Sequence, residues 1–497
     1  TFWEQVYFHK LGGDWRQDRL ALGTQDGLPR IAEIVLDNDN FRNFATALIS
    51  NGDGGEFSIY VLKADGATQI AAFDDKIVYA ASGPDDALYA ISREGAPLGK
   101  ILKMKPPFTR ESLAHAQVLV PESELPIQSE QDMAGLRVTG SQVFVRYLAG
   151  GPNEIRIFGL DGVPQGKLPL PELAALDEIA PLTNGGVLYS VFTYLRPRYV
   201  ARWNVATGKS EETKLGEAVG YDFEDMEAVR ETATSKDGTQ VPIYVIRKKG
   251  LTLDGSHPTL VYGYGGYGVS ESPYPLGARI RLWLDGGGVY ADVVVRGGGE
   301  FGESWHRDGY LTKKQNAFDD FAAAAQHLVD RHYTSPEKLA IVGESNGGLL
   351  VGATLVQHPG LMRAVVSRVG IYDMLRAELD PNGAFNITEF GTVKDKDQFK
   401  ALYAYSPYHH LVAGMRYPAV LLTTGDNDNR VDPMQSRKFT AALQAATSSG
   451  LPVLLRTNAF GHGMGSSKSA TEEEDADIVA FLYDQLGMTW HGDTHEP

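Results

Sequence analysis

Up to about residue 220, apolar and polar positions alternate in short runs that end in glycine-containing turns. The runs are clearest in EFSIYVLKADG (56–66), NEIRIFGLDG (153–162) and RYVARWNVATG (198–208). Such alternation predicts β-strands with one buried face. The turn glycines at 66, 162 and 208 are 96 and 46 residues apart, and a period of about 45 residues with several strands per unit is typical of a β-propeller blade. The alternative is an irregular all-β sandwich.

After residue 222 the pattern changes to continuous apolar runs that alternate with helical periodicity. The runs KLAIVGES (338–345), MRAVVSRVG (362–370) and YPAVLLTTGDND (417–428) predict buried strands, and AFDDFAAAAQHLVDRHY (317–333) predicts an amphipathic helix. Alternation of this kind predicts a mostly parallel, doubly wound sheet with crossover helices. We therefore expect two domains, propeller blades in residues 1–221 and an α/β domain in residues 222–497.

The last predicted helix follows the charged segment SSKSATEEEDAD. Thr471 and Glu474 have the spacing of a capping box, in which each side chain binds the other residue's backbone N–H. We therefore expect this helix to begin at Thr471.

Composition and charge exclude several classes of function. The chain has 497 residues, no cysteine and a formal net charge of −17. Without cysteine there is no disulfide, thiolate nucleophile or cysteine-based metal site. The negative charge disfavours a nucleic-acid partner, and no apolar run approaches the roughly 20 residues of a membrane helix. We predict a soluble protein and leave its compartment, cytoplasmic or periplasmic, open.

Other glycine- and histidine-containing motifs do not point to a cofactor or a metal. GYGGYG fits a dinucleotide fingerprint, but the following VSESPYPLGAR has two prolines where a helix would begin. RGGGEFG lacks the GK[ST] of a phosphate-binding loop. His409 and His410 are adjacent and have no accompanying carboxylate cluster, so we interpret them as structural or surface residues.

GESNG (343–347) matches G-x-S-x-G, with a predicted strand before it and a predicted helix after it. In that setting the chain reverses sharply at the serine, and glycines are needed where side chains would collide. The turn exposes the serine oxygen at the carboxyl end of the sheet. We therefore predict that Ser345 is a nucleophile.

A serine nucleophile needs a histidine base and an acid that orients it, and in this type of fold both follow the serine along the chain. His462 lies between two glycines after the strand VLLRTN. Three aspartates, Asp426, Asp428 and Asp432, follow the preceding strand. Asp432 precedes Pro433 and resembles a helix N-cap, so spacing leaves Asp426 and Asp428 as alternatives for the acid.

Several long motifs resemble the prolyl oligopeptidase family of serine peptidases. They include GYGGYG, RGGGEFGESWH, KKQNAFDDF, YTSPEKLAIVGESNGGLLVG, YSPYHHL, GDNDNRVDP and GHG, in the order of the family. The resemblance is close over residues 222–488 and looser before them. It implies an α/β-hydrolase domain capped by a seven-bladed propeller that admits short or flexible substrates.

The resemblance also implies roles for individual residues. The nucleophile, acid and base positions fall on Ser345, Asp428 and His462. The arginine that holds a substrate carbonyl falls on Arg430. The oxyanion donors fall on the Tyr264 hydroxyl and the backbone N–H of Asn346.

The proline pocket of the family matches less well. Its tryptophan position falls on Asn386 or Phe385, and no tryptophan lies between Trp305 and Trp490. Phe390, Tyr267 and Val431 still predict an apolar pocket. The sequence therefore leaves strict proline selectivity open.

The number of residues before the α/β part is smaller than the resemblance implies. About 220 residues are enough for roughly four or five blades of about 45 residues each. We therefore expect an incomplete propeller, completed by roughly 200 further residues upstream or by a second chain, an estimate from the same blade length.

The sequence supports three hypotheses of function. The first is a serine peptidase that cleaves short peptides through an acyl-enzyme. The second is a carboxylesterase that uses the same triad on small esters. The third is a propeller interaction protein with an inactive hydrolase domain, which the presence of every triad residue disfavours.

Overall fold

The computed structural model describes residues 2–37, 44–52, 55–63, 66–128, 135–182, 186–463 and 466–489. Up to residue 216, the regular structure in these residues is β-strand and 3₁₀ turn, with one short helix, α1 (Arg110–Ala114). The strands are β1 (Val6–Phe8), β2 (Arg19–Leu22), β3 (Ala32–Asp37), β4 (Ala45–Asn51), β5 (Phe57–Lys63), β6 (Gly66–Ala71), β7 (Ile77–Ser82), β8 (Leu88–Ser92), β9 (Lys100–Met104), β10 (Gln117–Val120), β11 (Leu136–Val138), β12 (Gln142–Leu148), β13 (Asn153–Gly159), β14 (Pro164–Lys167), β15 (Ala174–Pro181), β16 (Val187–Thr193), β17 (Arg196–Asn204) and β18 (Lys209–Gly216).

These strands form one two-stranded sheet, β1–β2, and four four-stranded sheets, β3–β6, β7–β10, β11–β14 and β15–β18. Each four-stranded sheet is an antiparallel meander in chain order, as in a propeller blade. Neighbouring sheets share apolar cores: Phe144 and Ile155 pack with Trp203 of the next sheet. The predicted four or five blades agree with these sheets. The incomplete ring and its completion by a second chain or an upstream segment stay predictions.

In the described residues between 226 and 486, the chain forms one eight-stranded sheet with helices on both faces. The elements are β19 (Met226–Thr234), β20 (Gln240–Lys248), β21 (Thr259–Gly263), α2 (Ala278–Asp285), β22 (Val289–Val293), α3 (Glu303–Arg307), α4 (Gln315–Asp330), β23 (Leu339–Glu344), α5 (Asn346–Gln357), β24 (Ala364–Arg368), α6 (Ile387–Phe390), α7 (Lys396–Tyr405), β25 (Ala419–Gly425), α8 (Met434–Ala446), β26 (Val453–Asn458) and α9 (Lys468–Leu486).

The strand order of this sheet is β19-β20-β22-β21-β23-β24-β25-β26. The first two pairings are antiparallel and the other five are parallel. Successive residues of one strand point to opposite faces. Ile341 of β23 therefore lies in the core under α4 and α5, while Ala340 and Val342 lie in the core under α2 and α9. The predicted doubly wound sheet is confirmed.

The two parts of the chain are in contact. The hydroxyl of Tyr194, in the turn between β16 and β17, donates a hydrogen bond to Asp292 Oδ2 of β22 at 2.8 Å. Arg93 Nη1, which follows β8, lies 2.7 Å from Glu303 Oε2 of α3. The predicted boundary near residue 222 falls between β18 and β19, and it stays a prediction. No helix among the described residues is both long and apolar enough to cross a membrane.

The last helix begins earlier than the sequence predicted. α9 starts at Lys468, and the Ser467 hydroxyl accepts the N–H of Ala470 as its cap. Thr471 lies inside the first turn. Glu474, 8% exposed, turns inward and binds the Arg368 guanidinium at 2.9 Å. The capping-box prediction was wrong because Ser467, four residues before Thr471, caps the helix, and Glu474 pairs with Arg368 of β24 and not with a backbone N–H at the helix start.

Candidate active site

Ser345 lies at the turn between β23 and α5, with φ 57° and ψ −116°. This positive φ is strained for a residue with a side chain. The flanking glycines make the turn possible. A Cβ on Gly343 would collide with the Gly347 carbonyl oxygen, and one on Gly347 would lie 2.7 Å from the Gly263 oxygen of β21. The turn therefore has the strand-to-helix geometry that presents a nucleophilic serine at the edge of a sheet.

His462 lies in the loop after β26, and its ring is hydrogen-bonded to Asp428, in the loop after β25. The distance between His462 Nδ1 and Asp428 Oδ2 is 2.6 Å. The side chain of His462 is 10% exposed and that of Asp428 is fully buried. The two loops are bound to each other, since the Asn427 N–H donates to the Phe460 carbonyl at 3.1 Å. This pairing leaves Nε2 as the His462 nitrogen that can exchange a proton with a nucleophile.

The backbone after Asp428 fixes its carboxylate. The N–H groups of Arg430 and Val431 both donate to Asp428 Oδ1 at 2.9 Å. The other oxygen, Oδ2, is the one that binds His462. Because three donors hold the carboxylate, it is suited to orient an imidazole and to stabilise its charged form.

The other two aspartates of this loop have different partners. Asp426 is about half exposed and lies 2.6 Å from Arg437 Nη2. The Asp432 carboxylate accepts the N–H of Met434, the first residue of α8, at 2.8 Å. Spacing alone left Asp426 and Asp428 open for the acid, and the structure brings only Asp428 to His462.

The serine and histidine loops lie side by side, but their side chains are not hydrogen-bonded. A Cβ on Gly463 would lie 3.0 Å from Glu344 Oε1, so the residues next to His462 and Ser345 are close. In the part of the chain that the structure describes, no hydrogen bond joins the Ser345 hydroxyl to His462. Nucleophile–base hydrogen bonds are often long without substrate and shorten in the bound complex.

The start of α5 and the loop after β21 meet beside Ser345. The first N–H groups of a helix have no intrahelical acceptor, so the Asn346 N–H is available to an anion. The Asn346 side-chain amide donates to the Tyr264 carbonyl at 2.5 Å. A Cβ on Gly266 would lie 2.6 Å from the same amide nitrogen. The backbone of Tyr264, the predicted oxyanion residue, is thus packed against the helix that follows Ser345.

The predicted apolar pocket residues lie in one core. Phe390 and Val431 are 3% and 6% exposed. The Tyr267 ring packs edge-on against Phe390, with centroids 5.7 Å apart. The Tyr267 hydroxyl donates to Asn386 Oδ1 at 3.0 Å. Of the two residues predicted at the tryptophan position, Asn386 therefore contacts Tyr267, a predicted pocket residue.

The other candidate for the tryptophan position, Phe385, packs against the propeller part of the chain. Its ring centroid lies 5.3 Å from that of Phe2. The polar Asn386 is consequently the one of the two that lies beside Tyr267.

Arg430, the predicted carbonyl-binding arginine, is an exposed residue of the Asp428 loop. Its backbone N–H donates to Asp428, so the arginine is close to the acid in space as well as in sequence.

His409 and His410, interpreted as structural, bind Ser406 Oγ at 2.9 Å and the Tyr403 carbonyl at 2.6 Å, respectively. No cluster of three or more metal-ligating side chains lies among the described residues.

Sequence reasoning missed a buried charge cluster beside the pocket. The Glu389 carboxylate lies 2.7 Å from Lys314 Nζ and 2.9 Å from His306 Nε2. Burial by itself lowers the pKa of His306, but hydrogen bonds and charge interactions with Glu303 and Glu389 outweigh it and raise the pKa to about 9. The only sequence signal was that His306 and Lys314 lie in GESWH and KKQNAFDDF, motifs that the resemblance already singled out.

Comparison with known proteins assigns both parts of the chain to one family. Residues 276–489 match the prolyl oligopeptidase family, and residues 2–215 match the prolyl oligopeptidase N-terminal beta-propeller domain. The prolyl endopeptidase of Elizabethkingia meningoseptica is 34% identical over 490 residues, which is 97% of this chain and 68% of that protein. Prolyl oligopeptidase A of Galerina marginata is 29% identical over 517 residues, 99% of this chain and 67% of that protein.

Solved structures lead to the same assignment. A chain from a structural and mechanistic study of two prolyl endopeptidases superposes with a TM-score of 0.88 at 35% identity, covering 98% of this chain and 70% of that one. Prolyl oligopeptidase B from Galerina marginata, bound to a 35mer hydrolysis and macrocyclization substrate, superposes with a TM-score of 0.87 at 26% identity. The match covers 98% of this chain and 69% of that one. The chain belongs to the prolyl oligopeptidase family of serine peptidases, with an N-terminal propeller domain and a C-terminal hydrolase domain.

Proposed function

We propose that this chain cleaves short peptides through an acyl-enzyme, with Ser345, Asp428 and His462 as its catalytic triad. The observation that carries the proposal is the 2.6 Å contact between His462 Nδ1 and the buried Asp428 carboxylate, in a loop packed against the serine turn. That contact holds the imidazole so that Nε2 is the proton acceptor. The propeller domain corresponds to residues 1–221 and the hydrolase domain to residues 222–497.

The reaction proceeds in two acyl transfers. His462 Nε2 takes the Ser345 proton as the serine oxygen attacks the substrate carbonyl carbon. The resulting imidazolium, stabilised by Asp428, gives that proton to the leaving amine nitrogen, and the C–N bond breaks. Water then attacks the acyl-enzyme ester with His462 again as base. The acid is released when His462 returns the proton to the serine oxygen.

The negative charge on the substrate oxygen is stabilised by two donors. We assign these to the Asn346 N–H at the start of α5 and the Tyr264 hydroxyl. A donor aimed at the developing oxyanion contributes about 3–4 kcal/mol to the barrier reduction. Arg430 binds a substrate carbonyl further along the peptide.

The pocket for the residue before the cleaved bond is formed by Phe390, Tyr267 and Val431. Two of its walls are apolar and buried, which suits a small apolar side chain. Asn386 replaces the aromatic surface on which a proline ring would stack, and an aromatic contact contributes about 0.5–1.5 kcal/mol. Proline is accepted, but alanine competes with it.

The substrate class is tested by comparing three substrates: a proline-containing peptide amide, the same peptide with alanine in place of proline, and a short-chain aryl ester. We expect kcat/KM for the proline peptide to exceed that for the ester by at least about tenfold, because remote binding energy is available only from the peptide. The proline peptide is expected to exceed the alanine peptide by no more than about tenfold, given the missing stacking contact.

The same assay separates the peptidase from the carboxylesterase alternative. The relatives reported above are named as peptidases, which gives the esterase no support. Ester hydrolysis without measurable cleavage of either peptide would nevertheless make the chain an esterase and overturn the proposal. The Asn386→Trp variant is the matched control for the pocket, and it should raise the preference for proline over alanine.

A further inference from the structure

Lys314 and Glu389 are fully buried charged residues in the hydrolase domain, and the proposed chemistry uses neither of them. Both side chains are 0% exposed, and Lys314 Nζ lies 2.7 Å from Glu389 Oε1. His306 Nε2 binds the other carboxylate oxygen at 2.9 Å. Burial raises the pKa of Glu389, but charge interaction with Lys314 and the His306 hydrogen bond outweigh it and lower the pKa, whereas burial lowers the pKa of Lys314. The Glu389 carboxyl thus bridges the Lys314 and His306 nitrogens.

The cluster touches both sides of the proposed site. Lys314 Nζ donates to the Gly265 carbonyl at 3.0 Å, and Gly265 directly follows Tyr264. The same ammonium lies 5.3 Å from the centroid of the Phe390 ring. Glu389 is the residue before Phe390. Lys314 thus connects the loop of the proposed oxyanion tyrosine to the wall of the proposed pocket.

Stability alone does not account for a buried ion pair of this kind. Removing two charges from water costs several kcal/mol per ion, and an apolar replacement of the whole pair is often neutral or stabilising. What a buried pair supplies is fixed geometry. Here the pair binds the Gly265 carbonyl, directly after Tyr264. The next residue, Gly266, packs against the Asn346 side chain.

We propose that Lys314, held by Glu389, is a positioning residue that fixes the 264–266 loop through the Gly265 carbonyl, so that the Tyr264 hydroxyl is aimed at the substrate oxyanion. The inference rests on the proposed function, since it requires Tyr264 to act as an oxyanion donor. Lys314 acts only through Tyr264 and does not itself touch the substrate.

The test is a double-mutant cycle between Lys314→Met and Tyr264→Phe, measured on one peptide substrate. Tyr264→Phe alone should lower kcat by about 100-fold, the typical cost of removing one oxyanion donor. Lys314→Met alone should lower kcat by about tenfold and change KM less than twofold. In the Tyr264→Phe background, Lys314→Met should change kcat less than twofold, because the hydroxyl that it positions is gone.

Lys313→Met is the matched control. Lys313 is the preceding residue of the same type, 58% exposed, and pairs with Asp308 at 2.7 Å. Its replacement should leave kcat unchanged in both backgrounds. If Lys314→Met does not fold because Glu389 loses a partner, the double variant Lys314→Met/Glu389→Gln removes both charges. It then replaces Lys314→Met in the same double-mutant cycle.

The outcomes separate this inference from the proposed function. If Lys314→Met lowers kcat equally in both backgrounds, or not at all, Lys314 does not act through Tyr264 and the inference is overturned while the function stands. If Tyr264→Phe leaves kcat unchanged, the oxyanion assignment within the proposed function fails, and the positioning role falls with it.

Discussion

Replacing Ser345 with alanine is expected to lower kcat on a peptide amide by roughly 10⁶-fold, as loss of a triad serine does elsewhere. The substitution removes one oxygen and keeps the Cβ, so the strained turn with φ 57° stays acceptable to the chain. The binding surfaces on Phe390 and Arg430 are untouched, and residual binding should remain. The measurement is steady-state turnover of the variant beside the parent protein, together with thermal melting of both.

The control for this variant is Ser469→Ala, an exposed serine on α9. It should keep parental turnover, which shows that the loss follows from position 345 and not from preparation of a serine variant. Turnover by Ser345→Ala at more than about one per cent of the parent, well above the residual rate typical of a triad without its serine, would show that another group is the nucleophile.

Replacing Asp428 with asparagine is expected to lower kcat by about 10⁴-fold, the cost of removing the charge that orients and stabilises a catalytic imidazole. Asparagine has nearly the shape of aspartate and can still accept the N–H groups of Arg430 and Val431. What it loses is the negative charge 2.6 Å from His462 Nδ1. Steady-state kinetics on the same peptide measure the effect.

The neighbouring Asp426→Asn is the matched control. Asp426 pairs with Arg437 at the surface, where both side chains are nearly half exposed, and such pairs contribute only about 0–1 kcal/mol to stability. Its kcat should remain within about threefold of the parent, consistent with a surface pair. If Asp426→Asn were the more damaging change, the acid would have to be reassigned.

Ser345 and His462 could be singled out as candidate nucleophile and base because each lies in a local pattern. The strand before Ser345, the glycines around it and the histidine between two glycines each have a signature within a few residues. The apolar runs likewise predicted the parallel strands, since a strand buried on both faces has no polar positions to break its pattern.

The choice between Asp426 and Asp428 was not predictable from spacing. Both follow the same strand, and they differ in which direction their side chains take. The N–H groups of Arg430 and Val431 orient Asp428, and Arg437 on α8 binds Asp426. These contacts depend on the fold, so neither can be read from the spacing of the aspartates. The resemblance to the family, and not the spacing, selected Asp428 before any geometry was known.

The buried Lys314–Glu389 pair was missed for a related reason. In sequence, Lys314 belongs to a charged helix start and Glu389 to a short polar stretch, and both patterns usually indicate a solvated surface. Their burial follows from the contact of α6 with the 3₁₀ turn Leu311–Lys313, which directly precedes Lys314. The beginning of α9 was predicted wrongly because Ser467 caps the helix and Glu474 binds a residue of β24.

The central claim is that Ser345 is the nucleophile activated by His462 and Asp428. The measurement that tests it most directly is labelling with a fluorophosphonate probe, followed by mass-spectrometric mapping of the adduct. The account predicts one adduct per chain, on Ser345, absent from Ser345→Ala and formed much more slowly in Asp428→Asn. An adduct on a different residue, or equal labelling of Ser345→Ala, would contradict it.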